Sequence, residues 1–335
     1  MDKSPPYVGR LAPAPTGALH LGNARTFLVA WLRARKAGGR IVLRLEDLDH
    51  PKVKPAAARQ AYQDLHWLGL ECDAGPADST PPFTQDEDPA DPFVQSRNLG
   101  KYAHALGRLK ERELVYPCVC TRKDLDRMLS APNAGDEVLE RRYPGLCRER
   151  FESSVEAEQV SGREPAWRFH LEDGAETAFV DGFHGPQRSV LSEWSGDFPV
   201  ARGQRAGYQL AVVVDDHGMG VTEVVRGDDL LPSTHRQIAL YRALGWEPPA
   251  FYHLPLVVGP DGRRLAKRHG DTRISAIRES GGGPWRVLGW LARSCGWIDS
   301  LREMPLAEIL ELCDFDRIPR ERVVVERADL DWLGL

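Results

Sequence analysis

A histidine stands behind a proline-rich turn near the start of this chain, in the segment Arg10-Leu-Ala-Pro-Ala-Pro-Thr-Gly-Ala-Leu-His20-Leu-Gly22-Asn23. The segment reads as a strand end, a turn and a helix start, and Ala24, Phe27, Leu28 and Trp31 then recur at spacings of three and four. His20 is therefore expected at a helix N-terminus, where unpaired N–H groups and a partial positive charge favour an anion. Gly17 and Gly22 would keep side chains clear for a phosphate. Far downstream, Arg264-Leu-Ala-Lys267-Arg268 places cations on a loop flanked by glycines. Either pattern alone is also what a capped turn or a solvated basic loop looks like. Their occurrence together, in this order, points to a nucleotide site.

The remaining periodicity predicts an α/β chain. Ile41 to Leu45 reads as a buried strand that presents Glu46 at its end, where α/β sheets place ligands. One helix follows with Ala58, Ala61, Leu65 and Leu68 on a face, and another with Leu99, Tyr102, Ala103, Leu106 and Leu109. Residues 74–92 read as an acidic surface loop. Short strands are expected around Trp167 to His170 and Ala178 to Val180, then at Leu210 to Val214 and Val221 to Arg226. Ser233 or Thr234 would cap a helix from His235 to Leu244, and a further helix carries Trp285, Leu288, Leu291 and Ala292. This alternation predicts a doubly wound parallel sheet. The expected organisation is a catalytic domain in two halves, 1–113 and 201–250, an insertion over 114–200, and a loop with a helical region over 251–335.

A formal charge of -5 over 335 residues argues against indiscriminate coating of nucleic acid. Any RNA contact would use a local basic face: Arg33, Arg35, Lys36 and Arg40, the loop from Arg263 to His269, or Arg317, Arg320 and Arg322. The N-terminal residues lack a signal-peptide core and no apolar run approaches a membrane span, so a cytoplasmic protein with no membrane partner is expected. Six cysteines in such a chain point to metal or packing rather than disulfides. Cys118-Val-Cys120 and the later Tyr143-Pro-Gly-Leu-Cys147 suit either, while Cys72, Cys295 and Cys313 read as packing residues.

These residues resemble the class I aminoacyl-tRNA synthetases. His20 to Asn23 stands where that family carries its "HIGH" signature and Arg264 to Arg268 where it carries "KMSKS", with Arg264 and Ala266 replacing the usual Lys and Ser. Arg44-Leu-Glu46-Asp47-Leu-Asp49, Tyr208 to His217 and Val221 to Asp229 are similar to the glutamyl branch. The resemblance implies a Rossmann-like catalytic domain with a zinc-containing insertion. It implies His20 and Lys267 as catalytic residues, and His20, Gly22, Asn23, Arg264 and Lys267 around ATP with its magnesium. Arg10, Leu11, Ala12, Pro13, Ala14, Glu46, Tyr208 and Arg226 would line a glutamate pocket. Structural zinc would sit on Cys118, Cys120, Tyr143 and Cys147. Read as residues alone, Glu46, Asp47 and Asp49 could equally be an acidic turn or cap, Arg226 an ordinary ion-pair partner and Tyr208 a core residue. The chain stops where longer members begin an anticodon-binding domain. By resemblance to the short members, glutamate would be activated and passed to the queuosine base of tRNA(Asp), by a monomer. Two other readings stay open: a glutamyl-tRNA synthetase fragment charging tRNA(Glu), and a synthetase-like protein that binds nucleotide or RNA without turnover.

Overall fold

Strand Val8–Leu11 is buried along its whole length and pairs in parallel with Arg40–Leu43, placing Arg10 beside Val42 and Leu11 beside Leu43. Helix Leu21–Lys36 connects them and buries Ala24, Phe27 and Leu28, as the three-and-four spacing requires. The computed structural model describes residues 6–48, 53–79, 91–121, 123–124, 142–263, 265 and 271–335. It divides into two compact units. One comprises 1–97, 219–231 and 249–335, and the other 98–218 and 232–248.

In the first unit, Glu223–Gly227 and Ala250–Leu254 form a second parallel pair, with Arg226 opposite His253. Thr222 stitches the two pairs together at one end: its N–H donates to Val8 O at 2.8 Å and its carbonyl accepts from Ala250 at 2.9 Å. The opposite, carboxyl ends carry Leu11 and Glu46. There Arg44 N donates to Leu11 O and Glu46 N to Pro13 O, so the proline-rich turn is laid across the strand ends. Helices Pro55–Trp67, Ile274–Glu279, Pro284–Ser294, Leu306–Leu312 and Arg327–Leu333 complete the unit, with a short parallel pair between Val257–Val258 and Val323–Val324. Trp290 is fully buried in the third of these helices. Gly289 beside it is required by packing, because a Cβ there would fall 1.8 Å from Arg302 O.

The second unit holds an antiparallel sheet ordered Val115–Cys118, Ala166–Phe169, Phe198–Arg202, Arg205–Ala206, and a hairpin of Glu176–Asp181 with Gly185–Val190. Helices Leu99–Glu111 and Tyr208–Gly218 lie together, joined where Tyr102 Oη donates to Asp215 at 2.9 Å and Lys101 pairs with the same carboxylate at 2.6 Å. The molecule is thus α/β with both parallel and antiparallel strands, and among the described residues no helix is long and apolar enough to cross a membrane.

Three expectations are corrected. Leu210 to Val214 is not a strand but lies in helix Tyr208–Gly218, whose residues 210–216 are all buried. A helix enclosed on every side shows no polar face, so its β-branched run imitates a buried strand. The expected helix from His235 begins at Leu231 behind a 3-10 turn, Asp228–Leu230, which leaves Thr234 inside the helix rather than at its cap. Trp285 and Leu99, placed on apolar faces by spacing, are 54% and 44% exposed. The strands at Ala166–Phe169 and Glu176–Asp181 and the strand ending at Gly227 lie where the sequence puts them.

Candidate active site and candidate metal centre

His20 is the N-cap of helix Leu21–Lys36. Its Nδ1 accepts from Gly22 N at 3.1 Å and Asn23 N at 3.4 Å, while Asn23 Oδ1 accepts from His20 N at 3.1 Å. These donors assign the tautomer: Nδ1 is an acceptor, so the proton of the neutral ring sits on Nε2, on the far edge. Leu21 N is engaged as well, donating to Thr272 O at 3.1 Å. This corrects the expectation that the N–H groups of the helix tip receive the phosphate. Three of them are satisfied within the chain, Leu21 N by Thr272 O and Gly22 N and Asn23 N by His20 Nδ1. The glycines divide in the same way. A Cβ at Gly17 would meet nothing, whereas one at Gly22 would press 3.0 Å from His20 Cε1, so Gly22 makes room for the histidine ring.

The segment that follows the basic motif in sequence lies beside this histidine. Ile274 N donates to Leu19 O at 2.9 Å, His20 bridges Arg273, and Thr272 is buried. Upstream, Gly259 N donates to Arg263 O at 2.9 Å. Arg264, Ala266, Lys267 and Arg268 lie outside the described residues, as does Asp49.

Arg10, Leu11, Pro13, Glu46 and Arg226 come together in the first unit, at the carboxyl ends of its parallel strands. Arg10 is buried and donates through Nη1 to Val225 O at 2.9 Å, one residue before Arg226. Arg226 is also buried and donates through Nε to His253 Nε2 at 3.1 Å. Glu46 is half-buried, and its Oε1 accepts from the fully buried Arg44 at 2.9 Å. Ala12 and Ala14 belong to the intervening turn, Ala12 half-buried and Ala14 exposed. Asp47 ties this turn to a later segment, accepting from Ser96 N at 2.8 Å and from Ser96 Oγ. Tyr208 begins a helix of the second unit and is 41% exposed, which removes the core reading. Arg44 and His253, the side chains that hold Glu46 and Arg226, carry no signal of that role in the sequence. The Arg226–His253 pairing depends on strand register, which no local spacing reveals.

Of the basic cluster around the first helix, Arg33 forms a two-point pair with Glu223 at 2.6 and 2.7 Å and Arg35 pairs with Asp73 at 2.8 Å. Both charges are answered inside the fold, so this cluster does not present four unopposed cations to RNA.

In the second unit Cys118, Cys120 and Cys147 converge, their sulfurs all within 4.8 Å of one another. Tyr143 Oη lies 3.3 Å from Cys118 Sγ and 3.6 Å from Cys120 Sγ, and Cys120 Sγ lies 3.6 Å from Cys147 Sγ. A tetrahedral zinc with sulfur at about 2.3 Å spaces its sulfurs about 3.8 Å apart, so the four donors fit that ion. Gly196 positions the tyrosine: it adopts φ +58°, and a Cβ there would fall 2.3 Å from Tyr143 O. The hydrogen bond between Cys118 and Cys147 is the main influence on both thiols. It pulls Cys147 down to about 6, and with burial it pushes Cys118 up to about 12. Arg168 is buried beside them, with Nε donating to Cys118 Sγ at 3.1 Å and Cζ 3.7 Å from the Tyr143 ring centre.

A histidine-capped helix near the ends of parallel strands is thus tied by backbone bonds to the segment that follows the basic motif in sequence. The chain belongs to the class I tRNA synthetases of the E and Q kind, whose catalytic-domain model matches residues 7–332. It is 49% identical over 316 residues to a glutamyl-Q tRNA(Asp) synthetase of Symbiobacterium thermophilum, covering 94% of each chain. It is 43% identical to the glutamyl-Q tRNA(Asp) synthetase of Nitratidesulfovibrio vulgaris, covering 97% of each. A glutamate–tRNA ligase of a Synechococcus species is 36% identical, but the chain spans only 64% of that protein. The structure superposes on a glutamate-tRNA synthetase of Elizabethkingia anophelis with a TM-score of 0.80 and 25% identity, covering 98% of this chain and 70% of the other.

Proposed function

We propose that this chain activates L-glutamate with ATP and transfers the glutamyl group to the queuosine base in the anticodon loop of tRNA(Asp). One observation supports the activation step: backbone bonds join Leu19–Leu21, at the start of the histidine-capped helix, to Thr272–Ile274, which follow the basic motif in sequence. In that step the glutamate α-carboxylate attacks the α-phosphorus of ATP, and pyrophosphate leaves. The reaction needs alignment and stabilisation of spreading negative charge more than it needs bond-making side chains. His20 donates from Nε2 toward the phosphates, and Gly22 and Asn23 serve by holding that ring. Lys267, with Arg264, follows the leaving pyrophosphate. Magnesium, when bound with ATP, supplies further charge neutralisation.

The parallel strand ends place two buried cations, Arg10 and Arg226, and the half-buried Glu46 in one unit. Carboxylate binding suits the guanidinium groups and the α-ammonium suits Glu46, whose charge Arg44 holds in place. Leu11 to Ala14 form the floor of this pocket. The parallel strands around it are the core of a Rossmann-like catalytic domain, and the antiparallel sheet is an insertion whose Cys118, Cys120, Tyr143 and Cys147 hold structural zinc. In transfer, a queuosine hydroxyl attacks the glutamyl carbonyl and AMP departs, leaving an ester. Support for this acceptor comes from the relatives at 49% and 43% identity, which are named for it, whereas the glutamate–tRNA ligase of the Synechococcus species is 36% identical.

The test is to offer radiolabelled glutamate and ATP to tRNA(Asp) with and without queuosine. Label that depends on queuosine is expected, and pyrophosphate exchange should proceed without any tRNA. Label on tRNA(Asp) regardless of queuosine, or exchange only in the presence of tRNA(Glu), refutes the assignment.

A further inference from the structure

We infer that His253 is a positioning residue for glutamate recognition, holding Arg226 by its Nε so that the two terminal amino groups of the guanidinium meet the amino acid's carboxylate. This rests on the reading of Arg226 as a glutamate ligand. His253 is 0% exposed and stands opposite Arg226 in the register of parallel strands Ala250–Leu254 and Glu223–Gly227, so the two side chains share a face of the sheet. Arg226 Nε lies 3.1 Å from His253 Nε2. A guanidinium has donors only, so the imidazole nitrogen must accept, which requires a neutral ring with its proton on Nδ1. An imidazolium would lack the lone pair and set a like charge against the guanidinium.

Phe251 confines the same group from a second side. It precedes His253 by two residues on one strand, its ring lies 5.5 Å from Arg226 Cζ, and it is near-parallel to the His253 ring at 17° and 6.1 Å. A guanidinium held at Nε approaches a carboxylate end-on through Nη1 and Nη2, a two-point contact that lysine does not reproduce. The chemistry of the holder matters too. An aspartate or glutamate at 253 would orient Arg226 equally well but would neutralise it and compete with the substrate. A neutral histidine orients the cation without setting a carboxylate against it.

The experiment is pyrophosphate exchange on the full chain with glutamate and ATP varied separately, for wild type, His253→Leu, His253→Gln and His253→Glu. His253→Leu, which leaves Nε without its acceptor, should raise KM for glutamate by roughly tenfold or more with KM for ATP within about twofold. His253→Gln keeps an acceptor oxygen and should recover most of that loss, while His253→Glu should not. An unchanged glutamate KM in His253→Leu, or an equal rise for both substrates, overturns the inference. Should His253→Leu fail to fold, nitrogen-15 spectra of histidine-labelled wild type decide, with His253 assigned by difference against His253→Gln. Unprotonated Nε2 is expected, and a protonated Nε2 overturns the proposal. Arg226→Ala separates the two levels: wild-type glutamate affinity by calorimetry in that variant would remove Arg226 from the pocket, whatever His253 does.

Discussion

Arg168 and Gly22 show what single residues do behind the groups that perform the chemistry. Arg168 is a buried cation whose hydrogen bonds run to Cys118 Sγ and Asp197 O, and it lies over the Tyr143 ring. Three thiolates around a divalent metal leave net negative charge, and this guanidinium answers it. Arg168→Leu should therefore release metal about 10- to 100-fold more readily in chelator competition, before any effect on the fold is seen by circular dichroism. At the other site, Gly22→Ala would force the His20 ring to yield, since the new Cβ would sit 3.0 Å from Cε1 and 3.1 Å from Nδ1. Adenylate formation should fall roughly 10- to 100-fold in single-turnover assays at nearly unchanged Tm, because a misplaced donor costs rate rather than stability. Local spacing marks His20 as a helix cap and leaves Cys118, Cys120 and Cys147 open between metal and packing, and the resemblance to the synthetases adds Tyr143 to them. Arg168 carries no such mark: it follows Cys118 by fifty residues and reaches it only through the pairing of Ala166–Phe169 with Val115–Cys118.

Among the elements, helix Pro55–Trp67 carries a buried carboxylate. Asp64 is enclosed, and burial pushes it up to about 7 although Arg278 of helix Ile274–Glu279 lies 3.2 Å away and acts in the opposite direction. A folded value above the unfolded one means that the native state binds the proton more tightly. This contribution favours folding at low pH, is lost as pH rises from about 4 to about 7, and changes no further above that. Asp64→Asn should remove this slope, making the variant more stable than wild type at pH 8 by at least about 1 kcal/mol and nearly equal to it at about pH 3. Urea denaturation at the two pH values checks the sign. The elements are legible wherever one face meets water. Leu21–Lys36 alternates buried and half-buried positions and declares itself by its spacing, whereas Tyr208–Gly218, enclosed through residue 216, passes for a strand.

For the molecule as a whole, the division of labour follows the two units. The described residues proposed for nucleotide and glutamate lie in the first unit except Tyr208, and the three cysteines that could hold a metal lie in the second. Stripping the metal with a chelator should lower the Tm and reduce glutamylation of tRNA(Asp) by at least about tenfold, while tRNA-independent exchange changes by only a few-fold. Equal loss of both activities would show that the second unit also shapes the glutamate pocket. Family membership is legible at this scale because the motif order survives along the whole chain. How three separated segments assemble into the first unit is not, since nothing in composition marks residues 98 or 219 as points of division. The pairing of Leu19–Leu21 with Thr272–Ile274 fixes the segment that follows the basic motif in sequence. That anchorage is written in main-chain bonds that most side chains permit, so mutation can redraft the wording at Thr272 to Ile274 and still leave the segment moored beside the histidine.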